Sequence, residues 1–212
     1  MPSTTLPRIE LVQQPPKVAD HLVVALTGQG PTVIGAASEL EKAAQPFGSL
    51  GQLVTDLGAS SKIGSVTLLP KLAGQVVVVG LGSDDPTPED VRRALGSALR
   101  TIVSGEGDQP LHVAISVGTE EAEMVRAAIE GALLGAHEFT KIGSEPRVRL
   151  SQISVVTSLT GSAAKQAVTD ALAVARAVTT TRDWINTPAN LLYPETFAEQ
   201  AREMAREAKI DV

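Results

Sequence analysis

The residues able to do chemistry in this sequence are few and scattered. Gly80-Leu81-Gly82 follows an apolar run and precedes a helical stretch, which is where a dinucleotide-binding loop would stand. Asp85, however, occupies the place of the third glycine, and Asp84 and Asp85 would repel a pyrophosphate. A tight strand-to-helix turn that needs small residues accounts for the glycines without a ligand. The histidines are His21, His112 and His137, with no HExxH-like pairing and no cysteine to join them. A compact zinc site is therefore not expected, although one assembled from residues distant in sequence stays open. Ordinary surface or partly buried histidines are the plainer expectation.

Two acidic groups, Asp84, Asp85, Glu89, Asp90 and Glu120, Glu121, Glu123, have the composition of acid–base pairs or a cation site. Each falls at the start of a predicted helix, where the helix dipole favours negative charge by about 0.3–1 kcal/mol. Helix-start stabilisation is the reading preferred here. No G-x-S-x-G elbow is present, so no serine is marked as a hydrolase nucleophile. Read from its residues, the chain offers no catalytic, metal-binding or substrate-binding set.

The elements that would position such residues alternate between strand and helix. Residues 8–12 and 21–27 read as early strands, and 38–44 as a short helix ended near Pro46 and Gly48. β-rich runs at 63–69 and 75–81 flank a turn at Pro70–Gly74. Val76-Val77-Val78-Val79 does not alternate with polar residues, which predicts a central strand buried on both faces. Thr87, Pro88 and Asp90 make an acidic capping box, and Val91, Ala94, Leu95, Ala98, Leu99 and Ile102 follow as one helical stripe. A strand at 111–117, a helix at 120–137 and a strand at 147–157 come next. The 120–137 helix is expected to face inward through Ala122, Val125, Ile129, Ala132, Leu133 and Ala136. Residues 163–185 form one long helix with Ala167, Val168, Ala171, Leu172, Ala175 and Val178 on one face. Pro188 stops it. A last helix opens at Pro194 with an apolar face of Phe197, Ala201, Met204, Ala205 and Ala208, and residues 210–212 look like the start of a strand. The alternation predicts an α/β fold with a mixed, mainly parallel sheet and helices on both faces.

Composition agrees with such a fold. Only 2% of the 212 residues are aromatic, so a core of Val, Leu, Ile and Ala is required, and that suits buried parallel strands under Ala-rich helices. The formal net charge of -6 speaks against broad nucleic-acid binding, which needs clustered Lys and Arg. No apolar run is long enough for a membrane span. No basic-then-apolar secretory signal opens the chain. Without cysteine there are no disulfides, and a cytoplasmic location is expected.

One stretch is more specific. Residues 174–205, VARAVTTTRDWINTPANLLYPETFAEQAREMA, resemble the segment by which leucyl (cytosol) aminopeptidases enter their catalytic domain. The family pattern falls on Arg182, Asp183, Asn186, Thr187, Pro188, Ala189 and Asn190, with Pro194 and Glu195 after them. Upstream, residues 64–82 are similar to the family's strand, loop and strand ending in Gly-Leu-Gly. Residues 130–135, Glu-Gly-Ala-Leu-Leu-Gly, are similar to its later helix. Trp184 replaces a usual aliphatic residue and Tyr193 a residue, often Thr, that would cap the last helix. Both look like packing variation. Before Gly64 the match is loose.

The resemblance implies a macro-domain-like N-terminal domain (1–160), a linking helix (162–185) and the truncated start of a C-terminal catalytic domain (186–212). It implies a broad-specificity aminopeptidase, leucine preferred, acting on peptide substrates as a homohexamer. Two divalent cations, Mn or Zn, would activate a water, hold the free amine and polarise the carbonyl. The motifs that carry those ligands, Gly-Lys-Gly-Ile-Thr-Phe-Asp and Asn-Thr-Asp-Ala-Glu-Gly-Arg, are absent from this chain, so no catalytic, metal or substrate-binding residue is carried over to it. The N-terminal part is expected to be structural, packing against its own catalytic domain and neighbouring subunits, and inactive alone. Two alternatives remain at this point: a ligand-binding macro-like module of the ADP-ribose type, or a DNA-interaction domain.

Overall fold

The structure is a computed structural model that describes residues 6–28, 32–35, 38–69, 75–105, 109–139 and 150–211. Seven strands form one sheet: β1 (Arg8–Val12), β2 (His21–Thr27), β3 (Thr32–Ile34), β4 (Val66–Leu69), β5 (Gln75–Gly82), β6 (Leu111–Ser116) and β7 (Leu150–Val156). Their order is β1-β7-β6-β2-β5-β4. The five strands from β1 to β5 in that order are mutually parallel, and β4 closes the sheet antiparallel to β5. β2 pairs with β6 through His21–Val24 and then, beyond the end of that pairing, with antiparallel β3 through Ala25–Thr27.

The sheet is mixed and mainly parallel, with helices on both faces. Period-two alternation sends Val23, Ala25, Val77, Val79, Val113, Ile115, Ile153 and Val155 into one apolar core. Helices α3 (Pro88–Val103), α4 (Ala122–Gly135) and α5 (Gly161–Asn186) cover that face. Val24, Leu26, Val76 and Val78 point into a second core, closed by α1 (Ser38–Ala44) and α2 (Leu50–Asp56). The four valines of β5 are thus buried on both faces as expected, but β5 lies one strand from the sheet's edge rather than at its centre. β4 shields it there, so burial followed without a central position.

Three short elements were not expected: β3, α2, and a 3₁₀ turn (Gln45–Phe47) after α1. The two helical pieces have fewer than two turns each and β3 has only three residues, too short for a period to stand out. Ser49 caps α2 by accepting from the Gln52 amide at 3.1 Å. The expected turn at Pro70–Gly74 and the first three residues of the 147–157 strand lie outside the described residues.

After α5 the chain turns into α6 (Pro194–Ala208). The two pack through Trp184 and Phe197, edge to face with ring centroids 4.9 Å apart. Residues 210–211 are not a strand. Lys209 adopts a left-handed conformation and the Ile210 amide turns back to the Ala205 carbonyl (2.8 Å), which is a helix-ending turn.

Candidate functional site

The glycine turn after β5 is built for packing. The Gly80 amide donates to the Ser65 carbonyl (2.9 Å) and the Gly82 amide to the Ser61 carbonyl (2.7 Å). A side chain at Gly80 would collide with the Lys62 and Ser60 carbonyls. The two glycine amides that a phosphate would want are already committed to the segment before β4. Asp84 lies against Gly28 on the neighbouring loop. A dinucleotide or ADP-ribose phosphate has no cradle at Gly80 and Gly82.

The three histidines share no cluster among the described residues. His112 donates its backbone N–H to Asp20 (2.8 Å), and its Nε2 lies 2.8 Å from Ser154 Oγ on β7. His21 opens β2 beside β6. His137, whose side chain is only 6% exposed, places Nε2 3.2 Å from Asp183 Oδ1 and so ties the end of α4 to α5. Among the described residues no group of three or more His, Cys, Asp and Glu side chains is placed to hold a metal ion.

The acidic groups divide by role. Asp90 caps α3 as expected: it accepts from the Thr87 amide (3.0 Å) and hydroxyl (2.7 Å), and Thr87 Oγ1 accepts from the Asp90 amide (3.3 Å). Those bonds to Thr87, with help from the nearby Arg93 charge, hold the Asp90 carboxyl below the usual carboxylate range. Glu89 pairs with Arg92. Glu120 departs from the helix-start reading. It precedes α4 by two residues and accepts from the Ser158 amide (3.2 Å) and hydroxyl, joining the loops after β6 and β7.

What the sequence reading missed lies where α3, α4 and α5 meet. Glu130, with 3% of its side chain exposed, accepts from Arg92 Nε and Arg126 Nε, each at 2.7 Å. Burial by itself would lower the Arg92 guanidinium, but the bonds to Glu130 and Glu89 outweigh it and leave it raised; the bond to Glu130 also raises Arg126. Beside this cluster a cleft of about 290 Å³ opens between the three helices and the segment before β4. Arg92, Arg93 and Arg100 of α3 and Arg182 of α5 line it, and no carboxylate does. Arg182 donates to the Leu134 carbonyl at 2.8 Å. Among the described residues no carboxylate comes within ion-pair distance of Arg93, Arg100 or Arg182. The only sequence signal for this cleft was the Arg93–Arg100 spacing, two helical turns on one face; Arg182 is too far along the chain to have been connected to it.

The segment from Arg182 to Thr196 ends one helix and starts the next. Asn186 Nδ2 donates to the Arg182 carbonyl (2.8 Å) and Thr187 Oγ1 to the Asp183 carbonyl (2.7 Å), satisfying carbonyls at the end of α5. The Leu191 and Leu192 amides close a turn onto the Pro188 carbonyl at 2.9 and 3.0 Å. Thr196 Oγ1 accepts from the Tyr193 amide (3.0 Å), so Thr196 serves the start of α6 where Tyr193 itself makes no side-chain cap.

The sequence matches a known family. The profile of the cytosol aminopeptidase family's N-terminal domain matches residues 23–146, more than half of the chain. The chain belongs to the cytosol aminopeptidase family. The match begins at residue 23, within β2, and so takes in part of the stretch before Gly64 whose resemblance is loose. A probable cytosol aminopeptidase of Cutibacterium acnes is 40% identical over 187 residues, covering 85% of this chain and 36% of that protein. One of Corynebacterium diphtheriae is 29% identical over 221 residues, covering 100% of this chain and 42% of its own length. The chain thus spans less than half the length of these relatives. Among solved structures, a tomato leucine aminopeptidase variant aligns over 96% of this chain and 43% of its own with a TM-score of 0.72; at 21% identity this likeness concerns the fold alone. The bottromycin maturation enzyme BotP aligns with 26% identity and a TM-score of 0.63, over 92% of this chain and 38% of its own.

Proposed function

We propose that the chain is the N-terminal, non-catalytic part of a metal-dependent leucyl aminopeptidase, a cytoplasmic enzyme that removes N-terminal residues, leucine preferred, from peptides. One observation carries this reading: the N-terminal-domain profile of the family covers residues 23–146, while the chain spans 36% of its Cutibacterium acnes relative. Residues 1–160 are the N-terminal domain, 162–185 the linking helix, and 186–212 the opening of the catalytic domain. Exposed apolar side chains support the last boundary. Ile185 (76%) at the end of α5, Leu191 (45%) in the following loop, Phe197 (45%) on α6 and Ile210 (62%) after it are left exposed, apolar surface that catalytic-domain residues would cover.

The described residues do not fit a two-cation centre, since no group of three potential ligands is gathered among them. No catalytic step is therefore derived from this chain. Its role in the whole enzyme is to pack against neighbouring subunits of a homohexamer and to shape access to active sites built elsewhere. Among the described residues no helix is long and apolar enough to cross a membrane.

The purified 212-residue chain is expected to hydrolyse no leucine anilide with Mn²⁺ or Zn²⁺ added. Turnover that rises with added metal and co-purifies with the chain would refute the assignment. Neither alternative gains support from a specific observation: the turn amides of Gly80 and Gly82 are occupied, and the net charge is -6.

A further inference from the structure

The arginine-lined cleft is not used by the proposed role. Arg92 is already matched by Glu89 and Glu130. Arg93 and Arg100, both exposed, and Arg182, half-buried, bring three further positive charges to the same cleft. Among the described residues none of them is within ion-pair distance of a carboxylate, although Arg93 lies near enough to Asp90 to lower its carboxyl. The three charges therefore converge on one cleft in a chain whose formal net charge is -6. Cationic side chains gathered over low-dielectric walls focus their field into the cleft and raise the local concentration of anions. Guanidinium forks match phosphate and carboxylate oxygens in pairs, and they remain charged at every physiological pH.

The packing of the helices fixes this geometry. Gly131 and Gly135 of α4 lie against the carbonyls of Arg92 and Gly96 on α3, so closely that a side chain at either would collide. Gly96, Gly131 and Gly135 line the cleft at this approach, together with apolar Ile63 and Leu134. The Arg182 guanidinium is fixed at the cleft's α5 side by its bond to the Leu134 carbonyl. A volume of about 290 Å³ suits a small molecule and is too small for a nucleic-acid duplex.

We propose that this cleft binds a small polyanion bearing phosphate or carboxylate groups, held by Arg93, Arg100 and Arg182. The site lies wholly within α3, α4, α5 and the segment before β4, and it stands or falls independently of the aminopeptidase assignment. Trp184, the only tryptophan, is two residues from Arg182 and gives an optical reporter.

The test is titration of the 212-residue chain with inorganic pyrophosphate and, separately, citrate, at low ionic strength, by calorimetry and Trp184 fluorescence. Saturable one-to-one binding of either anion is expected, weakening as NaCl is raised. Binding of pyrophosphate alone would identify a phosphate ligand, and of citrate alone a carboxylate ligand. The double variant Arg93→Gln/Arg100→Gln should weaken binding at least tenfold with an unchanged thermal midpoint, because both side chains are exposed. Arg93→Lys/Arg100→Lys should retain part of it. Arg202→Gln, on α6 outside the cleft, should leave affinity unchanged. Absence of saturable binding by both anions, or equal loss in Arg202→Gln and the double glutamine variant, would overturn the proposal.

Discussion

At the scale of single residues, hydrogen-bonded charge has two uses in this chain. The Thr87–Asp90 box satisfies amides at the start of α3 with two short side chains, and Thr87→Ala is expected to cost about 1 kcal/mol in urea unfolding. Asp90→Asn tests the charge itself. Because the folded carboxyl titrates below its unfolded value, its contribution is present above about pH 4 and is lost as pH falls through the lowered folded value. The stability gap between the native chain and Asp90→Asn should therefore be larger at pH 7 than at pH 3; a gap independent of pH would contradict this assignment. Asp90 is partly exposed, so solvent screening keeps the effect small. Glu130 is the opposite case. It is buried and carries two guanidinium bonds, which satisfy it without revealing from sequence that a glutamate would face inward.

At the scale of elements, α4 shows how neighbours override a one-sided pattern. Its apolar stripe was legible in the sequence, and Val125, Ile129, Ala132 and Leu133 are buried. Ala127, Ala128, Glu130 and Gly131 are buried as well, because α3 and α5 flank α4 and leave it almost no solvent face. In α5, Ala167, Ala171 and Ala175 are buried as expected, but Thr179 is buried where Val178 was expected. Its hydroxyl donates to the Ala175 carbonyl (2.8 Å), which lets a polar residue enter the interface. The glycines of α4 make the sharpest prediction. Gly135→Ala should destabilise the chain by about 1–3 kcal/mol, since its new carbon would strike the Gly96 carbonyl and push α3 from α4. Gly96→Ala is the control: its carbon would sit 3.6 Å from the Gly131 carbonyl, an ordinary contact, and helix propensity should make it neutral or stabilising by up to about 1 kcal/mol. Thermal melts of both variants decide between close helix approach and mere helix flexibility as the reason for Gly135.

At the scale of the whole molecule, the two halves of the chain differ in how well their apolar surface is covered. The sheet and its flanking helices enclose two cores, whereas α6 buries only Ala205 and leaves Phe197 and Met204 at 45% and 40% exposure. The 212-residue chain is therefore expected to bind the dye ANS in its folded state. The pair of substitutions Ile185→Ser and Leu191→Ser should reduce that fluorescence while shifting the melting temperature little, because both side chains are already exposed. Undiminished dye binding would place the open apolar surface elsewhere.

The sequence by itself determined what depends on near neighbours along the chain. The strands at 8–12 and 21–27, the short helix at 38–44, the Thr87–Asp90 cap, the both-sided burial of Val76–Val79 and the chain turn at Pro188 all follow from period, capping and backbone restriction over a few residues. The family resemblance was legible for a related reason: Gly131 and Gly135 meet tight backbone contacts, and Asn186 and Thr187 satisfy helix-end carbonyls, demands that few residue types meet. Only the tertiary structure decided the strand order, the place of β5 beside the edge, the burial of Glu130 and the gathering of Arg93, Arg100 and Arg182 around one cleft. Those depend on contacts between residues tens of positions apart. Local propensity carries no information about which distant charges will meet, because that is fixed by how helices cross and which strands pair.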